Sequence, residues 1–206
     1  SVETYSRYGN EIYLVTSKNA QRYKIVKTRM DKPDLAHAQM VFAPSKLVYR
    51  YISQSNDKMY ISAMDGGYNR IIEFDPQTSE KKPLDIPENE SAYIFSASLW
   101  FDEIYIRLSS WTYAGKKQSW SSRTRKFKDL ILEPPGIYDN PGGLVSRRVL
   151  VKSHDGVKVP LSIIHGKDIK LNGQNPTLIS GYGAYGSSRG VGYSTTRLAW
   201  LEQGGV

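Results

Sequence analysis

Short runs of alternating apolar and polar residues, broken by turn-forming pairs, fill the first two thirds of the chain. Three of these runs resemble one another: Glu11-Ile12-Tyr13-Leu14-Val15-Thr16, Lys58-Met59-Tyr60-Ile61-Ser62-Ala63 and Glu103-Ile104-Tyr105-Ile106-Arg107-Leu108. Their starts lie 47 and 45 residues apart, and each follows a turn-forming or short polar pair: Gly9-Asn10, Asn56-Asp57 or Phe101-Asp102. Gly-Asn and Asn-Asp between such runs are hairpin signals. The two later copies are preceded by strand-like runs at 47–52 and 93–100, and further strand candidates follow at 22–29, 70–74 and, more weakly, 120–127. Val, Ile, Tyr and Thr dominate the apolar positions, as pleated surfaces prefer, and helical periodicity is absent from 11–130. Several short strands in each unit of about 45 residues is the spacing of β-propeller blades. A sandwich would also supply short strands, but not so even a repeat. About three blades are predicted, fewer than the 4–8 that close a ring, hence a partial β-propeller.

The pattern changes at 133–146, where three Pro and three Gly fall within 14 positions, as in a linker. The predicted division is a propeller segment at 1–137 and a second unit at 138–206. In the second unit, Arg148–Lys152 and Val159–Ile164 flank Ser153-His154-Asp155-Gly156, a hairpin with Asp-Gly at its tip. Thr177-Leu178-Ile179-Ser180 reads as a short buried strand, and a glycine-rich loop follows it. Thr195–Gln203 then carries Leu198, Trp200 and Leu201 near helical spacing and stops at Gly204-Gly205. Strand, glycine loop, helix and the start of another strand is the opening of an α/β sheet. The chain starts without Met and stops on an apolar residue after a Gly pair, so it reads as a piece of a longer protein.

Composition adds exclusions. The 206 residues include no Cys, which removes a disulfide framework, a Cys-ligated metal and a thiol nucleophile. No apolar run approaches the ~18 residues of a membrane span, and no signal peptide is visible, so no membrane partner is expected. The composition suits a cytoplasmic or an exported protein equally. Lys+Arg 28 against Asp+Glu 20 gives a net charge of +8, which raises nucleic acid as a partner. The one candidate is Lys116–Lys128, with six basic residues, no acids, and Trp120 and Phe127 interleaved. A solvated hairpin at a sheet edge accounts for it more simply, because Lys and Arg also discourage edge pairing. No nucleic-acid partner is predicted.

Gly181-Tyr182-Gly183-Ala184-Tyr185-Gly186 fits G-x-G-x-x-G, but residues 187–194 separate it from the helix that would meet a pyrophosphate. Gly186-Ser187-Ser188-Arg189-Gly190 fits G-x-S-x-G, yet loop precedes Ser188 and neither Asp nor His follows it in the chain. His37, His154 and His165 share no ligand spacing. No metal or cofactor is predicted.

One string of blocks is more specific than any of these motifs. Ser153–Pro160, Lys170–Gly173, Asn175–Leu178, Gly181–Gly186 and Arg197–Val206 run in the order found in the prolyl oligopeptidase family. Val15–Ile25 resembles that family's propeller. The resemblance covers nearly the whole chain, strongly over 147–206 and more loosely over 11–130. It implies a serine peptidase in which a seven-bladed propeller caps an α/β-hydrolase domain, this chain holding the last blades and the first hydrolase strands and helix. The nucleophilic Ser, the Asp and the His of that pattern lie beyond Val206, and no residue here replaces them, so the isolated chain is expected to be inactive. The resemblance places an oxyanion-hole hydroxyl on Tyr182, since a phenol is protonated at neutral pH and can donate to a tetrahedral intermediate. It places the pocket for the substrate's proline at Tyr185, where relatives often carry Phe. Short peptides are the implied substrates, cleaved after proline through an acyl-enzyme, and the rest of the polypeptide is the implied partner. Cleavage after Arg or Lys, as in oligopeptidase B, and a non-catalytic binding module remain the alternatives.

Overall fold

The computed structural model describes residues 1–132 and 134–206, and these are mostly β. Twelve strands form three successive four-stranded antiparallel meanders. The first comprises β1 (Val2–Tyr8), β2 (Glu11–Thr16), β3 (Lys24–Arg29) and β4 (Gln39–Phe42). The second comprises β5 (Val48–Gln54), β6 (Met59–Asp65), β7 (Tyr68–Phe74) and β8 (Lys81–Pro83). The third comprises β9 (Glu90–Ala97), β10 (Glu103–Ser110), β11 (Lys116–Ser121) and β12 (Lys126–Leu130). A separate hairpin pairs β13 (Leu144–Lys152) with β14 (Lys158–Gly166), and helix α1 spans Thr195–Glu202.

The three repeated runs are the second strand of each meander. The repeat extends to backbone detail, because each first strand carries one unpaired extra residue: Glu3, Arg50 and Phe95. These bulges are 47 and 45 residues apart, the spacing of the runs themselves. First strands of successive meanders adjoin one another, so the sheets stack face to face. The middle sheet is covered on both faces, which is why β6 and β7 carry apolar residues on both of their faces. On one side Met59, Ile61, Ala63, Ile72 and Phe74 pack with Tyr13, Val15, Ile25 and Phe42 of the first sheet. On the other, Tyr60 and Ile71 pack with Ile104, Ile106, Leu108 and Trp120 of the third. Alternation along each strand delivers successive residues to the two cores.

Two expectations are corrected. The weak strand candidate at 120–127 is a hairpin between β11 and β12, turned at Ser122–Arg125 with Arg125 at φ +54°. Thr177–Ser180 is neither a ladder strand nor buried: Leu178 is 70% and Ile179 83% exposed. Its apolar run lacks a strand to pair with among the described residues, except at one point. Leu178 N–H donates to Val206 O (2.9 Å) and Val206 N–H to Pro176 O (2.9 Å). That pair of bonds around Thr177 is the parallel-ladder pattern.

Helix α1 follows its local chemistry. Ser194 caps it, accepting from Arg197 N–H, and Leu198 and Leu201 are its buried side chains. It ends where Gly204 takes φ +83° and the Gly204 and Gly205 amides close back onto Leu201 and Trp200 carbonyls.

Candidate functional site

The glycine-rich loop lies over the second and third sheets. Within it Ala184–Gly186 makes a single 3-10 turn, closed by Ser187 N–H donating to Ala184 O (3.0 Å). Tyr185 sits in that turn at φ +56°, the left-handed region that an L side chain enters at a cost of about 1–2 kcal/mol. The residue is 96% exposed, at the rim of a cavity of about 380 Å³. Tyr185, Ser187 and Ser188 form one wall, and Arg50, Tyr51, Met64, Asn69 and Tyr93 line the sheet side.

Each sheet residue arrives there for a local reason. Arg50 is the bulge of β5, and a bulge re-aims its side chain relative to the pleat. Asn69 follows the β6–β7 turn, where its N–H donates to the buried Ser91 Oγ (2.8 Å). The Tyr93 hydroxyl abuts Gly190: a methyl built there would lie 2.9 Å from it, so a larger residue would have to push the Tyr93 hydroxyl aside. Among the described lining residues Arg50 is the charged one, and none is a carboxylate.

Tyr182, expected at the oxyanion hole, is on the same loop and 53% exposed, but does not line this cavity; Tyr185 does. Among the described residues Ser188 meets no general base: its hydroxyl donates to Met64 Sδ (3.2 Å). The three histidines lie apart. His37 faces Asp34 Oδ2 (2.8 Å) in an exposed loop, His154 neighbours Ser153 Oγ (3.3 Å) in the β13–β14 turn, and His165 meets Gly166 O (2.7 Å) on β14. In the basic stretch, Lys116 pairs with Asp129, Arg123 with Asp102 and Arg125 with Glu73. Trp120 is buried, tilted against Phe127 and donating to Glu73 Oε2 (2.9 Å), so its faces are not a stacking platform for bases.

Beside the cavity, the third sheet meets the linker and helix. Arg197 lies over the Trp111 ring (4.9 Å) and donates to Gly192 O (2.8 Å), and burial lowers its pKa. Ala114 N–H donates to Asp139 O (2.8 Å). Glu90, at the start of β9, accepts from the Tyr113 hydroxyl, and burial raises its carboxyl pKa above the ordinary 4.5 although Lys116 opposes the shift. The sheet-side lining residues were missed from sequence. Their only signal was a polar or exposed residue at a strand position, such as Tyr51, 65% exposed within β5.

No protein-family model matches the chain. Curated proteins do. The chain is 25% identical over 198 residues to the prolyl endopeptidase of Elizabethkingia miricola, covering 96% of this chain and 28% of that protein. It is 26% identical over 212 residues to prolyl oligopeptidase A of Amanita bisporigera, covering 96% and 26%. Among solved structures, one from a structural and mechanistic analysis of two prolyl endopeptidases matches with TM-score 0.85 at 21% identity, over 98% of this chain and 30% of that one. Oligopeptidase B of Leishmania major matches with TM-score 0.84 at 17% identity, over 98% and 30%. The resemblance to prolyl oligopeptidases thus extends along nearly the whole chain, and the β meanders match the propeller region of those structures. The chain spans about 28% of the length of the Elizabethkingia relatives.

Proposed function

We propose that this chain is the junction segment of a serine-type oligopeptidase. In this reading residues 1–137 are three consecutive blades near the end of the propeller, and 138–206 open an α/β-hydrolase domain. The parent enzyme hydrolyses short peptides after proline through an acyl-enzyme, with Ser, Asp and His supplied from beyond Val206. The observation that carries the reading is the glycine-rich loop bringing Tyr185 to the rim of a cavity against the sheets. The Thr177–Val206 bonds support the hydrolase half: this single parallel bridge, with helix α1 between its two sides, suits the opening of a βαβ unit. Exposed Tyr5 and Met40 on the first meander, and Phe95 and Trp100 on the third, suit further blades on either side.

In this mechanism the substrate's proline rests against Tyr185, and the Tyr182 hydroxyl donates to the oxyanion as the tetrahedral intermediate forms. Such a donor acts only where charge develops, so its loss lowers turnover rather than binding. The test is the full-length parent on a chromogenic peptide ending in Pro. Tyr182→Phe is expected to cut kcat about 10²–10³-fold; unchanged turnover removes Tyr182 from the mechanism. The same assay with Arg and Lys at the cleavage site tests oligopeptidase B-like specificity. Cleavage of Pro but not of Arg or Lys substrates would exclude that alternative.

A further inference from the structure

Five consecutive residues at the β6–β7 turn, Met64 to Tyr68, each meet the chain beyond residue 144. Met64 Sδ accepts from Ser188 Oγ (3.2 Å), and Asp65 O accepts from Arg148 Nη1 (2.7 Å). A methyl on Gly66 would stand 3.1 Å from Arg148 Nη1 and 3.3 Å from Pro160 Cγ, and one on Gly67 would stand 3.5 Å from Arg189 O. The Tyr68 ring, nearly fully buried, lies under the Arg148 guanidinium at 5.2 Å.

The turn is built for this. Asp65 and Tyr68 pair across a two-residue connection in which Gly66 and Gly67 take φ +58° and +91°, the hairpin form that needs positive φ twice. Glycine therefore serves both the backbone and the space that Arg148 and Pro160 occupy. On the other side, Arg70 donates to the carbonyls of Pro87, Glu88 and Glu90 (2.9–3.1 Å) and holds its own guanidinium 5.6 Å from the Tyr68 ring. The ring's position is thus fixed from within the sheet, and Arg148 comes to it.

We propose that Arg148 is a positioning residue: by seating in the Met64–Tyr68 turn it holds the β13–β14 hairpin and the Ser188–Arg189 end of the glycine-rich loop on the same five residues, and so sets where Tyr185 stands over the cavity. The catalytic consequence rests on the peptidase reading, whereas the socket itself does not. Arginine suits the task because its planar guanidinium donates to a carbonyl while its face covers a ring; a lysine ammonium is a point charge that does one or the other.

Hydrogen exchange on the 206-residue chain tests this without any activity. Arg148→Ala is expected to speed exchange of the Ser187 amide, which donates to Ala184 O (3.0 Å), about tenfold while those of Ile61 and Ile104 keep their protection. Arg148→Lys should recover only part of the loss. Gly66→Ala should reproduce part of it with the arginine still present, because at φ +58° the new methyl strains the turn and crowds the guanidinium at 3.1 Å. Unchanged loop exchange in Arg148→Ala and Gly66→Ala overturns the proposal. Equal loss across loop and sheets in all three variants also overturns it, since the role would then be general stability. In the full-length parent, Arg148→Ala should raise KM for a short Pro peptide about tenfold, partly restored by Lys. Altered exchange beside a wild-type parent with no hydrolysis would sink the peptidase reading and leave the socket standing.

Discussion

Two buried carboxylates illustrate how differently a charge can be settled in the same sheet stack. Glu73 is 5% exposed and fully engaged, accepting from Trp120 Nε1 and Arg125 Nη1 (2.9 Å each). Glu90, 7% exposed, has a partner for one oxygen in Tyr113, while its Oε2 is buried without one. Burial raises the Glu90 pKa, so the sign is that of a carboxyl better tolerated neutral. Its contribution to stability is fully present below the ordinary value of 4.5 and is lost as pH rises through the raised folded value. Glu90→Gln keeps an acceptor for Tyr113 and removes the charge. The variant is expected to melt above wild type at pH 8, with the difference vanishing near pH 4; thermal unfolding at the two pH values checks it. A gain that persists at pH 4 would point to packing instead. None of this was legible in sequence, where Glu90 is one acid among 20 and nothing marks it as buried. Tyr185 was legible, as a ring on a glycine-rich loop, but its left-handed backbone was not.

Strands and turns were easier to read than side chains, where a repeat supported them. The central strand of each meander stood out because it is apolar in all three copies, and the Asp-Gly hairpin tip was plain from its turn chemistry. What escaped were the edges and the start: β4 and β8 are three to four residues long, and β8 is Lys81-Lys82-Pro83, a charged, Pro-ended edge with no alternation to detect. β1 does alternate, but no preceding turn marks where it begins. Turn glycines also differ in ways that a sequence does not distinguish. Gly9 and Gly115 both have positive φ (+58° and +81°), but a methyl on Gly9 meets nothing within 4 Å, whereas one on Gly115 would overlap the Leu108 carbonyl. Gly9→Ala is therefore expected to cost only the backbone preference, about 1 kcal/mol. Gly115→Ala must also displace β10 from its register with β11, and should cost at least about 3 kcal/mol. Urea unfolding of the two variants measures the gap, and equal losses would mean that the β10–β11 turn relaxes freely.

At the scale of the molecule, the two parts of the division proposed at residue 138 carry the same sign of charge. Residues 138–206 hold eight Lys and Arg against four Asp and Glu, and 1–137 hold 20 against 16. Their mean electrostatic interaction is repulsive, and the attachment reflects that. Every ion pair between described residues lies within 11–129. Across the junction the polar contacts are instead guanidinium on ring, as with Arg148 on Tyr68 and Arg197 on Trp111, and donors onto neutral acceptors, as with Arg148 on Asp65 O and Ala114 on Asp139 O. Sequence composition gave the net charge, but not this division of labour, because acids and bases paired within a sheet look identical in sequence to those that would bridge the junction. The consequence is a sign opposite to the common expectation for a basic protein. Salt screens the repulsion between the parts and has no ion pair among the described residues to weaken there. Raising NaCl from about 0.05 to about 0.5 M, across which the Debye length falls from roughly 14 to 4 Å, should leave cleavage in the 134–143 linker by a dilute protease unchanged or slower. Faster cleavage at high salt, with the sheets still folded by circular dichroism, would mean that charge attraction holds the parts together after all.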